Sequence, residues 1–133
     1  MDLDGKISLV TGAGQGIGEG IAKVLVARGS KVILVDINGE TVKKVSDQIN
    51  SRFPAATVSF QADLTDENAI TTMLEFAHEK FNRLDCICNN AAASRGIGPL
   101  ESYSLEDVQA TLDLTFTALW KCLQAEIKYL KNH

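Results

Sequence analysis

Thr11-Gly12-Ala13-Gly14-Gln15-Gly16-Ile17-Gly18 follows directly on the apolar run Ile7-Ser8-Leu9-Val10. Four glycines between a strand and an amphipathic helix mark a place where main chain must come close to something bulky and negative. Each missing Cβ permits unusual backbone angles or close contact, and the helix that follows offers unpaired N–H groups and the positive end of its dipole. A diphosphate fits that description better than any other common ligand.

Outward from this loop, strand and helix patterns alternate with little between them. Residues 6–10 read as a short apolar strand. Ile21, Val24 and Leu25 follow Ile17 at helical spacing, and Gly29 is placed to end that helix. Lys31-Val32-Ile33-Leu34-Val35-Asp36 is the β-branched run of a strand buried on both faces. Val42, Val45 and Ile49 line one side of a second helix that closes near Phe53-Pro54, and residues 57–61 read as a third strand. Thr65 is the expected N-cap of a third helix, with Asp66 and Glu67 favourable in its first turn ahead of Ile70, Met73, Leu74, Ala77 and Phe81. Residues 84–89 form a fourth strand candidate and residues 94–99 a loop. Ser104-Leu105-Glu106-Asp107 reads as a capping box that opens a helix running to about Lys131.

Four strands separated by helices imply right-handed crossovers and a parallel sheet, that is, a Rossmann-type, doubly wound α/β domain occupying residues 1–133. The expected strand order is 3-2-1-4, with helices on both faces. Ligands of such sheets bind beyond the carboxyl ends of the strands where the order reverses, and the glycine loop falls there.

Composition supports a globular chain: 133 residues, 45% hydrophobic and 23% charged. The net charge of −4 argues against nucleic acid or an anionic membrane as primary partner. No apolar run approaches the ~20 residues of a transmembrane helix, and Met1-Asp2-Leu3-Asp4 is acidic where a signal peptide would be basic, so the expected location is cytoplasmic. An odd count of three cysteines suits a reducing compartment. Cys86 and Cys88 would share one strand face, and His78 and His133 do not complete a ligand set with them. Buried structural thiols are therefore the expectation, and no metal site is assigned.

The dinucleotide fingerprint G-x-G-x-x-G does not fit, because counting from Gly12 its last position falls on Ile17. Thr-Gly-x-x-x-Gly-x-Gly does fit, through Thr11, Gly12, Gly16 and Gly18. Asp36 stands twenty residues past Gly16 at the end of the second strand. A carboxylate there can accept hydrogen bonds from both ribose hydroxyls of an adenosine and would repel a 2′-phosphate. The competing reading, a glycine-rich turn with a solvated Asp, leaves that spacing and its strand–loop–helix context unaccounted for.

These residues resemble the short-chain dehydrogenase/reductase family, and the resemblance runs from about Lys6 through the last helix. Asn89-Asn90-Ala91-Ala92 is similar to the family's Asn-Asn-Ala-Gly motif, with Ala92 in place of the glycine. Asp63-Leu64 sits where the family contacts adenine. The resemblance implies that Gly12, Gln15, Gly16, Ile17 and Gly18 wrap the pyrophosphate of NAD(H). It implies that Asp36 holds the adenosine ribose and that Asp63 and Leu64 hold the adenine. Asn90 and Ala91 would line the nicotinamide-side ribose, while Asn89 ties the central strands together. Asp36, with no basic residue at Gln15 or Ile37, resembles the NAD-preferring members, since a 2′-phosphate requires a cation.

The departures carry equal weight. The family's chemistry uses a tyrosine with a lysine four residues later and an upstream serine, for proton transfer and for polarising the substrate oxygen. Here Tyr103 is followed at that distance by Asp107 and Tyr129 by His133, and both tyrosines read as surface or helix-face residues. The helix asparagine of many members is replaced by Thr115. No catalytic residue is therefore assigned, and the chain reads as the coenzyme-binding portion of an oxidoreductase, truncated before its catalytic motif. The alternative is an inactive nucleotide-binding or dimerisation module associating with a full-length relative. In either case the fourth strand is expected to lie at an edge. The last helix carries Leu112, Leu119, Leu123 and Ile127 on one side, with Phe116 and Trp120 around from them. That apolar surface predicts a homo-oligomer or association with a related subunit. The loop 93–103 names no substrate.

Overall fold

A computed structural model describes residues 3–93 and 98–133. Its strands are β1 (Ile7–Thr11), β2 (Lys31–Asp36), β3 (Thr57–Gln61) and β4 (Cys86–Cys88), paired in the order β3-β2-β1-β4. All three pairings are parallel, with Leu9 level with Ile33 on one side and Ile87 on the other. The helices between them are α1 (Gly16–Ala27), α2 (Gly39–Asn50) and α3 (Glu67–Phe81). After β4 the chain continues into α4 (Leu105–Leu112) and α5 (Leu119–Asn132).

Alternation along the central strands divides the core in two. Leu9, Ile33 and Val35 face a layer built by Met73, Leu74 and Ala77 of α3 and Ala118 and Cys122 near the start of α5. Val10, Val32 and Leu34 face Ala22 and Val26 of α1 and Val42, Val45 and Ile49 of α2. Covering both faces with helices is what turns β1 and β2 into unbroken apolar runs. It also sends the carboxyl ends of all four strands to one edge of the sheet.

Four details differ from the sequence reading. The fourth strand is shorter than 84–89, because only Cys86, Ile87 and Cys88 find partners on β1. It lies at the edge, so Cys86 is exposed and Cys88 half-buried; of the three thiols only Cys122 is buried, and burial together with Glu126 pushes it up to about 11. Asp66, not Thr65, caps α3 by accepting the Asn68 N–H at 2.9 Å; the Thr65 hydroxyl is drawn off by Asp63. The long last helix opens with the expected Ser104–Asp107 capping box but is broken by a π-helical stretch over Asp113–Ala118. Its register shift turns Leu119 half inward and leaves Leu112, Phe116, Trp120, Leu123 and Ile127 exposed. The loop expected at 94–99 lies mostly outside the described residues.

Leu9 is 0% exposed at the centre of the sheet. Truncation to Ala is expected to lower the unfolding free energy by about 2–5 kcal/mol, read from urea denaturation. A loss under about 1 kcal/mol would contradict this placement of the core.

Candidate functional site

The loop from β1 to α1 closes against β4 by contacts that exclude side chains. A Cβ on Gly18 would overlap the Gly12 carbonyl and come within 2.6 Å of the Asn90 amide nitrogen. Gly12 itself turns with φ +65° beneath Asn90 and Ala91. Gln15, Gly16 and Ile17 stand exposed at the mouth, where α1 begins without a side-chain cap. The first-turn N–H groups of α1 are therefore left for a ligand.

Asp36 is tethered from two directions. Its Oδ2 accepts the Gly14 N–H at 2.9 Å and its Oδ1 accepts the Asn38 N–H at 3.0 Å. Asn38 in turn caps α2 by accepting the N–H groups of Glu40 and Thr41, both at 3.1 Å. One carboxylate thus joins the glycine loop to the N-terminus of the second helix. It uses two of the about four acceptor positions a carboxylate offers. A Cβ on Gly14 would sit 2.6 Å from Thr41 Oγ1 and 2.9 Å from Asp36 Oδ2, so a side chain at position 14 would push both side chains aside and disturb this tether. An open groove of about 650 Å³ borders the same turn, lined among others by Ile37, Asn38, Gly39 and Gln61.

Asp63 lies just past β3 on the same edge. Its Oδ1 accepts both the Thr65 hydroxyl at 2.7 Å and the Thr65 N–H at 3.0 Å. These bonds hold the carboxyl below its ordinary value, with burial opposing weakly. The Leu64 side chain is buried in the core under α3, so it offers the cleft only its backbone. On the other side, buried Thr11 accepts the N–H groups of Asn90 at 3.1 Å and Ala91 at 3.0 Å on its hydroxyl oxygen. The Asn90 amide donates to the carbonyls of Thr11 at 3.1 Å and Gly12 at 3.3 Å. All ten residues expected at the site therefore occupy one continuous edge.

A backbone cradle, a tethered carboxylate at the end of the second strand and an Asn-Asn-Ala corner past the fourth share this edge. The short chain dehydrogenase family model matches residues 6–133. The chain belongs to the short-chain dehydrogenase family. An oxidoreductase, UcpA, of Salmonella typhimurium is 36% identical over 123 residues, 92% of this chain and 46% of that protein. A 3alpha-hydroxysteroid dehydrogenase of Mediterraneibacter gnavus is 33% identical over 133 residues, 99% of this chain and 53% of that one. Among solved structures, 3-ketoacyl-(acyl-carrier-protein) reductase from Brucella melitensis complexed with NADH superposes with a TM-score of 0.90 at 28% identity, covering 98% of this chain and 52% of that one. The chain spans about half the length of the curated relatives it matches.

Within this short-chain dehydrogenase framework, one feature departs from the sequence reading and two add to it. Asn89 does not tie strands together; its amide reaches the helix layer and donates to Glu126 Oε2 at 2.8 Å, and the tie to β1 is made by Asn90 and Ala91. Thr115 sits in the π-helical stretch and donates to the Ala93 carbonyl at 3.0 Å. Tyr129 is a half-buried helix-face residue: its hydroxyl lies 3.2 Å from His78 Nδ1, and burial raises its pKa. His78 is near the end of α3, which starts at the site edge and descends for 15 residues, roughly 22 Å of helical rise. That pair is thus remote from this edge.

Glu126 was not foreseen. It is 3% exposed on α5, and burial raises its carboxyl above the ordinary value, more than the Asn89 hydrogen bond lowers it. A folded-state value above the unfolded one means that its contribution to stability is complete at pH below about 4 and is lost as pH rises through the folded value. Glu126→Gln, which cannot ionise, is expected to melt close to the wild type at pH 4 and above it at pH 8. A melting-temperature gap that stays constant across that range would show that the carboxyl is not held neutral.

Proposed function

We propose that this chain forms the coenzyme-binding portion of an NAD(H)-linked oxidoreductase, with NAD preferred over NADP. The observation that carries this reading is the double tether of Asp36, by the Gly14 and Asn38 N–H groups, beside a loop that excludes any Cβ at Gly18. A diphosphate would lie against Gly12, Gln15, Gly16, Ile17 and Gly18. Asp36 would hold the adenosine ribose through its remaining acceptor positions, and Asp63 with the Leu64 backbone would meet the adenine. Asn90 and Ala91 would face the ribose next to the nicotinamide. Because the tether fixes Asp36 in place, its charge cannot swing aside to admit a 2′-phosphate, and neither Gln15 nor Ile37 supplies a cation.

Bound there, the nicotinamide supplies the hydride acceptor or donor of alcohol–carbonyl chemistry. The residues of this chain bind and orient it. No Tyr-x-x-x-Lys occurs within the 133 residues, so no proton transfer is assigned to a side chain here.

Calorimetric titration tests the coenzyme reading. The wild type is expected to bind NADH more tightly than NADPH. Asp36→Ala should weaken NADH roughly ten- to a hundredfold, the range expected for hydrogen bonds to a charged group, and should erase the preference. Tighter binding of NADPH by the wild type would overturn it.

A second reading, that the chain associates with a copy of itself or a related subunit, is favoured by one observation. Leu105, Val108, Leu112, Phe116, Trp120 and Leu123 are exposed at helical spacing along α4 and α5, a stripe longer than isolated surface residues account for. Size-exclusion chromatography is expected to show an oligomer that Phe116→Glu dissociates. A wild-type monomer unchanged by concentration would contradict this.

A further inference from the structure

Glu126 is not among the ten residues expected at the site, yet the fold buries its carboxyl almost completely and leaves Oε1 with no hydrogen-bond partner among the described residues. Apolar side chains usually fill such a site as well or better. The hydrogen bond its carboxyl accepts from Asn89 at 2.8 Å, the one it has among the described residues, therefore defines what it does. Along its own helix the Cys122 thiol lies one turn before it and Tyr129 nearly one turn after, and Tyr129 is hydrogen-bonded to His78 across the α3–α5 contact.

Asn89 begins where the β1–β4 ladder has already ended, at Cys88. Beyond that point the strand direction is held by side chains. Consecutive residues of extended chain send their side chains to opposite faces. Asn89 is accordingly gripped by α5 on one face, while Asn90 is gripped by Thr11 and Gly12 on the other. The two asparagines clamp the corner between the helix layer and the glycine loop, and Glu126 is the anchor on the helix side.

We propose that Glu126 is a positioning residue: through Asn89 it fixes the corner at which Asn90 and Ala91 meet the glycine loop, and so sets the nicotinamide-side half of the coenzyme site. The binding half of this proposal rests on the coenzyme reading above; the positioning half does not.

The test compares wild type, Glu126→Leu and Glu126→Gln. Leucine fills the volume without an acceptor for Asn89, whereas glutamine keeps one. In amide hydrogen exchange without ligand, Glu126→Leu should lose at least tenfold protection at the Asn90 and Ala91 amides, with Leu9 and Ile33 unchanged. Glu126→Gln should stay within about threefold of the wild type. In calorimetry, Glu126→Leu should bind NADH about tenfold more weakly, while ADP, which lacks the nicotinamide half, binds as to the wild type. Unchanged protection at Asn90 and Ala91, or protection lost equally across β1 and β2, would overturn the positioning role. Equal weakening of NADH and ADP would show a general structural role and overturn it as well. A wild type that binds neither nucleotide would remove the coenzyme reading and the binding half with it, while the exchange result still decides the corner.

Discussion

Helix α1 can start where it does only because position 18 carries no Cβ. The Gly12 carbonyl and the Asn90 amide already occupy the space where one would project. That approach draws the N-terminus of α1 down onto the end of β1 and brings β4 alongside through the Thr11 hydroxyl. Everything else at the site follows from it. With the loop held down, the Gly14 N–H reaches Asp36, and Asp36 in turn orients the cap of α2. A few sub-van-der-Waals exclusions, rather than any one strong bond, place three strand ends in register with a helix dipole.

Three carboxylates bordering this edge are handled in different ways. Asp36 is half-buried and held by two backbone N–H groups, which orient its charge for a ligand. Asp63 is exposed and turned onto Thr65, which keeps it ionised and shapes the turn into α3. Glu126 is withdrawn from solvent against a single amide and is pushed toward its neutral form. For Asp63 and Glu126, burial and hydrogen-bond supply differ, and the direction of each carboxyl's shift follows them.

Much of this was legible in the chain. The two buried strands, their parallel order and the glycine loop are written in local pattern, since unbroken β-branched runs separated by 3.6-period segments leave few alternatives. The ten residues expected at the site came from motifs, and the fold gathers them on one edge. What pattern could not supply was partnership across sequence. Glu126 carries no local signal, because nothing in its neighbourhood along the chain announces that Asn89, 37 positions earlier, will meet it. Gly14 occupies a variable place in its motif, and its closeness to Thr41 and Asp36 shows only in the fold. The N-cap of α3 moved by one residue because Asp63 competes for the Thr65 hydroxyl. The π-helical stretch likewise has no composition signal, and it alone reassigns Leu119 from the exposed stripe toward the core.

The central claim is that main chain, rather than side chains, receives the diphosphate. Amide spectra recorded during titration with NADH test it most directly. The account predicts saturable shifts at the backbone amides of Gln15, Gly16, Ile17 and Gly18, accompanied by Gly14 and Asn38 on either side of Asp36. Saturable shifts confined to other parts of the chain, with those amides unmoved, would contradict it.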